Sequence, residues 1–175
     1  MKYCIVSDTH QNLEELHAAS LLAGDVDLFV HAGDEIGDAK WLAQYMKVPV
    51  VGVAGNWDTP SALYPLERTI EGIVPIYLTH GHRLRVKESH DMLVDRTRQK
   101  RAKIAIYGHT HVPVAQVIDD ILVINPGSLS QPRGGRHRTY VVLTVLEKDS
   151  KVVCQAELWT TMGEVLSKVA FETKK

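Results

Sequence analysis

Five short polar motifs are spread along this chain, and each directly follows an apolar run of the length typical of a β-strand. Side chains that follow parallel strands gather at the carboxyl edge of a sheet, where open α/β folds bind their ligands. The alternation therefore constrains both the fold and the place where a site would lie. The motifs are Asp8-Thr9-His10, Gly33-Asp34, Gly55-Asn56, Thr79-His80-Gly81-His82 and Gly108-His109-Thr110-His111.

The first half of the chain alternates predicted strands with predicted helices. Continuous apolar runs predict strands over Tyr3–Ser7, Asp27–His31 and Val48–Val53. The helix after the first strand is expected to begin after Asn12, whose side chain can cap it, and to stop at Gly24. This βαβαβ order predicts a parallel sheet with right-handed crossovers.

After Pro60 the pattern changes to short strands joined by turn signals. One helix is predicted over Ser89–Arg101, capped by its first residue, with Met92, Leu93 and Val94 facing inward. The turn signals predict a second half that is largely antiparallel, and the tail after Trp159 fits either a helix or a strand. Strands are predicted within Ile70–Leu78 and over Ile104–Tyr107, Val112–Ile118, Ile121–Ile124, Tyr140–Leu146 and Val152–Trp159.

Length and composition exclude several classes of protein. The 175 residues predict a single α/β domain over 1–175, and 45% apolar content is typical of a globular chain. A net charge of −1 argues against a general polyanion-binding surface, although local basic patches leave nucleic-acid binding open. A homo-oligomer is also left open. No apolar run approaches the roughly 20 residues that span a bilayer, so no membrane partner is expected. Cys4 and Cys154 lie in separate apolar runs, which predicts buried thiols, and the expected location is the cytoplasm.

The motifs together predict a site for two divalent metal ions. Carboxylate, amide and imidazole ligands favour first-row cations, with manganese preferred and nickel, iron, zinc or magnesium as alternatives. The Asp-x-His and His-x-His spacings would point both side chains to one side of an extended strand end. Two dications against two carboxylates and a hydroxide leave a charge of about +1, which suits a phosphate ester. Taken singly, each residue also fits turn or cap chemistry. The expected ligands are Asp8, His10, Asp34, Asn56, His80, His109 and His111.

These residues, in this order, resemble the calcineurin-like metallophosphoesterase superfamily, and above all its small single-domain phosphodiesterases of bacteria and archaea. The resemblance runs from Met1 to about Trp159 and includes the segment Asn125-Pro126-Gly127-Ser128. It implies a four-layer αββα sandwich, in which two mixed β-sheets face each other and helices cover the outside.

The resemblance also implies a role for each ligand. Asp34 would bridge the two metals through its carboxylate, and a hydroxide between the metals would attack a small phosphodiester. Asn56 would in addition contact a phosphate oxygen. One metal would be held by Asp8, His10 and His111, and the other by Asn56, His80 and His109.

One position departs from the pattern of the larger relatives. They carry a histidine, a proposed general acid, directly after the Gly-Asn pair, and this chain carries Trp57 there. Protonation of a poor leaving group would then need another residue, and His82 is the candidate. A phosphomonoesterase is the alternative within the fold. A non-catalytic protein-binding scaffold resembling a subunit of the retromer coat is the alternative outside enzymes, and the seven retained ligands argue against it.

Several residues near the motifs keep two interpretations. His31 is either a support for a metal ligand or a hydrogen-bonded core histidine. Asp58 either orients the Asn56 loop or caps the turn that follows it. The loop around Arg133, Arg136 and Arg138 either reaches a substrate phosphate or forms an exposed tip. Surface positions are predicted for His17, His90 and the basic cluster Arg96, Arg98, Lys100, Arg101 and Lys103.

Overall fold

The computed structural model describes residues 1–174, which are arranged as strands and three helices. The helices are α1 (Leu13–Leu22), α2 (Ile36–Tyr45) and α3 (Asp91–Gln99). The strands are β1 (Lys2–Val6), β2 (Leu28–His31), β3 (Val50–Gly52), β4 (Glu67–Ile70), β5 (Ile76–Thr79), β6 (Ile104–Ile106), β7 (Val114–Ile118), β8 (Ile121–Asn125), β9 (Thr139–Lys148), β10 (Lys151–Thr160) and β11 (Val165–Lys174).

The strands form two mixed sheets. The first sheet has the order β11-β10-β9-β1-β2-β3, and the second has the order β4-β5-β6-β8-β7. Strands β1, β2 and β3 are parallel, as the βαβαβ pattern predicts. The prediction of a largely antiparallel second half is wrong for the centre of the second sheet, where β5, β6 and β8 run parallel. Helix α3 carries the chain from β5 to β6, and β7 lies outside β8 at the sheet edge, so β8 is free to pair with β6.

Strand β1 shows how the two sheets and the helices are layered. Its alternate residues Tyr3 and Ile5 face the apolar cluster between the two sheets, whereas Cys4 and Val6 belong to a second cluster with the helices α1 and α2. A strand covered on both faces must be apolar throughout, which explains the continuous run in the sequence. A third cluster packs α3 against the second sheet. The order of layers is therefore helices, sheet, sheet and helix, which confirms the expected αββα sandwich.

The local signals for helix ends are mostly correct. The side chain of Asn12 accepts a hydrogen bond from the backbone N–H of Glu15 at 3.3 Å, so the predicted cap of α1 is present. For α3 the predicted cap is wrong by one residue, because His90 rather than Ser89 occupies the N-cap position. Met92 is exposed, since the apolar face of this helix is narrow and buries Leu93, Val94 and Thr97 instead.

Three further expectations concern the rest of the chain. The tail that fitted a helix or a strand forms β11, which pairs with β10 along its length. Cys4 and Cys154 are buried free thiols, as predicted. Within residues 1–174, none of the helices has the length and apolar character needed to cross a bilayer.

Candidate metal centre

The seven predicted ligands lie together where the carboxyl ends of strands from both sheets meet. Asp8, His10, Asp34 and Asn56 follow β1, β2 and β3 of the first sheet, and the other three follow β5 and β6 of the second. The expectation that all motifs open at the edge of one sheet is therefore wrong, because the strands behind them divide between two sheets. The site lies across the rim of the sandwich.

The ligand atoms form two groups that share one carboxylate. In each group the atoms lie within 4.8 Å of one another, and Asp34 belongs to both. Asn56 joins the second group, since its Oδ1 lies 3.2 Å from His80 Nε2. One shared carboxylate between two groups is the arrangement expected for a bridged pair of cations. The first group is Asp8, His10, Asp34 and His111, and the second is Asp34, His80 and His109.

The backbone that presents these ligands is turned rather than extended. Five of the seven proposed ligands have positive φ, between 41° and 67°. Non-glycine residues adopt this region rarely, and such backbone strain clusters at functional sites. The extended Asp-x-His and His-x-His geometry inferred from the spacing is therefore wrong. The side chains converge because each loop bends sharply back over its strand end. The five residues are Asp8, His10, Asp34, His109 and His111.

The histidine rings are oriented by hydrogen bonds on the side away from the ligand cluster. His80 Nδ1 donates to the backbone carbonyl of Ala32 at 2.8 Å, and His111 Nδ1 donates to that of Gln131 at 2.7 Å. These bonds fix the tautomer that leaves Nε2 with its lone pair. Metal-ligating histidines are normally held in this way.

Two buried polar atoms test whether these residues fit a metal. Asp8 Oδ1 and His10 Nε2 accept no hydrogen bond within residues 1–174. Asp8 Oδ1 lies 3.1 Å from His111 Nε2, but a neutral His111 ring that donates through Nδ1 turns a lone pair, not an N–H, towards this oxygen. The other oxygen of Asp8 accepts from the His109 N–H at 3.0 Å, so this carboxylate is held in place with one oxygen left over. An unpaired buried polar atom costs free energy unless a ligand satisfies it. The residues present therefore fit a bound cation.

The protonation states also suit cation binding. Burial raises the pKa of Asp34, but the hydrogen bond and charge of His80 outweigh burial and lower this pKa to about 2. Burial and the charge of His80 lower the pKa of His109 to about 4, so its ring is neutral at pH 7. Burial also opposes the charged forms of His80 and His111, yet the carboxylates Asp34 and Asp8 raise both pKa values. A bound cation at Nε2 would take the place of any proton that these carboxylates draw to the two rings.

His31 supports two ligand loops from inside the core. It accepts from the Gly33 N–H through Nδ1 at 3.2 Å and donates to the Thr9 hydroxyl through Nε2 at 3.0 Å. Thr9 in turn donates to the backbone carbonyl of Asp34 at 3.4 Å. Burial lowers the pKa of His31 to about 4, so the ring is neutral. Both interpretations of this residue hold, because a fully bonded core histidine here also positions the Asp8 and Asp34 loops.

Asp58 ties the Asn56 loop to the Asp34 loop. Its carboxylate accepts from the backbone N–H of Glu35 at 3.2 Å, of Ile36 at 2.9 Å and of Gly55 at 2.8 Å. The first of the two interpretations is therefore correct. Asp58 orients the Asn56 loop, and it also satisfies donors at the start of α2.

Replacing Asp58 by alanine is expected to lower the free energy of unfolding by about 2 kcal/mol, because three backbone donors lose a charged acceptor. Urea unfolding measures this change. The matched control is Asp91→Ala, whose carboxylate accepts from the exposed Ser89 hydroxyl, and its cost is expected to stay within about 0.5 kcal/mol. Equal losses in the two variants would contradict the assigned role of Asp58.

The segment after β8 supports the ligand loops in a way that sequence reasoning missed. The Asn125 side chain donates to the backbone carbonyl of Gly108 at 2.9 Å, and the Ser128 hydroxyl donates to that of Asp8 at 2.7 Å. Both side chains are buried. The available signal was an Asn-Pro-Gly-Ser turn directly after an apolar run, which is the same placement that the ligand motifs have.

Two further side chains flank the ligand cluster. The ring of His82 lies 5.5 Å from that of His80 and 6.1 Å from that of His109, and it lines a cleft of about 690 Å³ beside α3. Burial and the charge of His80 lower the pKa of His82. Trp57 is 75% exposed at the mouth of the site, with its ring edge-on to His10. The backbone N–H of Trp57 donates to Asp34 Oδ1 at 3.0 Å.

The basic residues divide into paired and unpaired groups. In the cluster at the end of α3, four of the five cations contact carboxylates, which agrees with the predicted solvated face. Arg138 pairs with Glu15 at 3.4 Å, whereas Arg133 lines the cavity of the ligand cluster. The surface positions predicted for His17 and His90 are wrong in part. Both are half-buried, and they hydrogen-bond to the hydroxyls of Tyr45 and Tyr107.

Comparison with known proteins places the chain in a family. The model of the calcineurin-like phosphoesterase superfamily domain matches residues 1–148. The chain belongs to this superfamily. It is 32% identical over 154 residues to the probable metallophosphoesterase YsnB of Bacillus subtilis, covering 87% of this chain and 89% of YsnB. It is 32% identical over 128 residues to the phosphodiesterase YfcE of Escherichia coli, covering 62% of this chain and 63% of YfcE.

Two solved structures share the fold of this chain. A predicted phosphoesterase of Streptococcus pneumoniae superposes with a TM-score of 0.77 at 30% identity, covering 99% of this chain and 97% of that one. Vps29 of Entamoeba histolytica superposes with a TM-score of 0.74 at 20% identity, covering 99% and 100%. The fold is thus kept where most of the sequence differs, and one fold can host several functions. The fold alone therefore does not assign an activity. The assignment has to come from the site.

Proposed function

We propose that this superfamily member is a metal-dependent phosphodiesterase. Its two ligand groups would hold two divalent metal ions, which would supply the hydroxide that hydrolyses a small phosphodiester. The observation that carries the proposal is the pair of ligand groups that share Asp34. When bound, two cations would supply a nucleophile at neutral pH by lowering the pKa of the water between them. Manganese is the preferred cation, with nickel, iron, zinc or magnesium as alternatives.

The residues of the chain would hold the substrate and the ligands. Asn56 is exposed, with its Oδ1 beside His80. Its amide N–H₂ would therefore donate to a phosphate oxygen. The backbone N–H of Trp57 and the ring of His80 hold the carboxylate of Asp34 between the two groups. Such fixed donors and ligands need no rearrangement as charge develops on the phosphate.

The space at the site is small, which limits what can react there. The cavity lined by the ligands has a volume of about 110 Å³, room for roughly four water molecules. It accepts one phosphate group, and the two ester groups of a diester would extend beyond it. Open clefts lie on the His82 side, about 690 Å³, and on the His90 side, about 340 Å³. Two clefts around one phosphate suit a diester better than a monoester.

Hydrolysis by the metal-stripped protein, restored with one cation at a time, tests this proposal. We expect turnover of bis(p-nitrophenyl) phosphate that depends on added manganese, nickel, magnesium or zinc, and that exceeds turnover of p-nitrophenyl phosphate. The monoester alternative predicts the reverse order. Inactivity with every cation would end the enzyme proposal in favour of the scaffold, although a scaffold has no use for buried unpaired atoms at Asp8 and His10.

His82 is proposed to assist the leaving group in place of the histidine that Trp57 replaces. Its ring lines the larger cleft, where one ester group would lie. A neutral imidazole there donates a hydrogen bond to the leaving oxygen. We expect His82→Ala to lower turnover of diphenyl phosphate about tenfold more than turnover of bis(p-nitrophenyl) phosphate, because the poorer leaving group needs the donor more. Equal losses on the two substrates would remove His82 from this role.

The remaining expectations belong to the same proposal. A single domain over 1–175 and a location in the cytoplasm are proposed, and the buried free thiols Cys4 and Cys154 suit a reducing compartment.

A further inference from the structure

We propose that Lys87 and Arg133 form a second anion-binding subsite, which takes a phosphate carried on one ester arm of the substrate. This inference rests on the proposed phosphodiesterase function and names its substrate class. The preferred substrate is then a phosphodiester that bears an additional phosphate group, rather than a diester with two neutral arms.

The side chains of Lys87 and Arg133 lie between the ligand cluster and a neighbouring cleft. Lys87 and Arg133 both line the small cavity together with His109 and His111. They also line the cleft of about 340 Å³ on the His90 side, and they are the two residues that both spaces share. A group that leaves the reaction site towards this cleft passes between them.

Neither of these two basic side chains is paired with an acidic side chain among the described residues. Within residues 1–174, the side chains of Lys87 and Arg133 have no ion pair and no hydrogen bond. Most cations at the end of α3 behave differently, since Arg96 and Lys100 both contact Glu67. Two unpaired cations facing one cavity are available for an external anion.

Both residues are attached to well-anchored backbone. Arg133 donates its backbone N–H to the carbonyl of His111 at 2.9 Å, and His111 returns a bond to the carbonyl of Gln131. Lys87 follows the buried Val86 in a turn closed by backbone hydrogen bonds. Arg133 is therefore not part of a free hairpin tip, and both flexible side chains start from fixed positions beside the cluster.

The charge of the site points to an anion beyond the reacting phosphate. With two dications bound, the metal ions, two carboxylates and a hydroxide would carry about +1, and the side chains of Lys87 and Arg133 would raise the total to about +3. A simple phosphodiester carries a single negative charge. Among the described residues, Asp34 is the one carboxylate that lines either the small cavity or the His90 cleft. The opposite cleft is lined by Arg83 and Arg96 but also by Glu67 and Asp95, so its charges cancel. The His90 cleft contains cations without a carboxylate, so the second anion belongs on the Lys87 side.

The lining of the His90 cleft suits the organic part of such an arm. Val86, Val112, Val114 and Tyr107 are half of its lining residues. Lys87 and Arg133 lie at its entrance from the small cavity, because they line both spaces. The apolar wall would contact the ester arm, and the cations at the entrance would contact its phosphate. An ester arm without a phosphate would contact the apolar wall but not the side chains of Lys87 and Arg133.

Two substrates that differ by one phosphate test this inference. They are thymidine 5′-(p-nitrophenyl phosphate) and the same compound with a 3′-phosphate, each with the manganese-loaded protein. We expect kcat/KM to be about tenfold higher for the phosphorylated compound at low salt, mainly because its KM is lower. A hydrogen bond to a charged group stabilises a complex by about this tenfold factor. Added salt should lower this ratio of kcat/KM values, because Lys87 and Arg133 are exposed and salt screens their charges.

The variants Lys87→Ala and Arg133→Ala should each reduce this ratio to about twofold or less. Arg136→Ala, an exposed cation on the same loop that lines neither space, should keep the ratio near tenfold. Calorimetric binding of thymidine 3′,5′-bisphosphate and thymidine 5′-phosphate provides a readout without turnover, and the same ratios are expected in Kd.

The outcomes separate the two proposals. Hydrolysis of both compounds with equal kcat/KM, or a ratio that neither variant changes, overturns the anion subsite and leaves the phosphodiesterase standing. Hydrolysis of neither compound with any cation overturns the phosphodiesterase and the subsite with it.

Discussion

Replacing Asp34 by alanine is expected to abolish metal-dependent diester hydrolysis, with kcat/KM falling by about a thousandfold or more. Asp34 is 2% exposed and is the one residue that belongs to both ligand groups. One oxygen accepts from the Trp57 N–H and the other lies 3.3 Å from His80 Nε2. Its loss would remove the proposed bridge between the two metal ions, and it would remove the carboxylate that lies beside the ring of His80.

The measurement combines kinetics on bis(p-nitrophenyl) phosphate with the metal content of the purified variant. We expect at least one cation fewer per chain in Asp34→Ala. The control is Asp38→Asn, because Asp38 is also buried and near His10 but lies outside both ligand groups, and an asparagine can still accept from the Gln11 N–H. Activity of that control should stay within about fivefold. Unchanged metal content with more than a tenth of the activity in Asp34→Ala would refute the bridging role.

The layers around β1 could be predicted because their signals are local. An apolar run without alternation indicates a strand covered on both faces, and both faces of β1 are indeed covered. The cap at Asn12 depends on a contact three residues away and was equally readable. Placement of the ligands after β1, β2 and β3 followed from the parallel order of these strands.

The division of the strands between two sheets could not be predicted from the residues alone. Strand β9 pairs with β1, more than 130 residues earlier in the chain, while β8 pairs with β6 in the other sheet. Strand β8 and the first part of β9 are apolar and buried, so their composition does not reveal which partner each takes. The correct architecture came from the family resemblance, which carries the nonlocal pairing that local patterns lack.

The sequence-based prediction was further from the structure in the backbone conformation of the site. Extended geometry is the default for residues at a strand end, but the ligands Asp8 and His109 have φ of 52° and 67°. Such backbone persists only where surrounding bonds hold it. Those bonds come from Ser128, Asn125 and Asp58, which lie far from the ligands in sequence. A sequence pattern identifies the ligand side chains more readily than the residues that hold their loops.

Replacing Gly55 by alanine is expected to lower kcat/KM by about a hundredfold or more, although the residue carries no functional group. A Cβ atom built at Gly55 would overlap Asp34 Oδ1 and would lie 2.8 Å from Asp34 Cγ. The backbone of Gly55 cannot move away freely, because its N–H is bonded to Asp58 at 2.8 Å. The carboxylate of Asp34, the proposed bridge between the metal ions, must therefore shift, and a displacement of about 1 Å at a catalytic group can cost this factor.

Gly135→Ala is the matched control for this substitution. No atom lies within 4 Å of a Cβ built at Gly135, and its φ is not positive, so the added methyl group meets neither contact nor strain. Its activity and metal affinity should equal those of the parent chain. Urea unfolding of Gly55→Ala, with an expected loss of about 1–3 kcal/mol from overpacking, shows whether the variant is folded at the assay temperature. A folded Gly55→Ala protein with parental activity and metal affinity would mean that the carboxylate of Asp34 is not held against this glycine. The close packing of the Asn56 and Asp34 loops would then have no part in forming the metal centre.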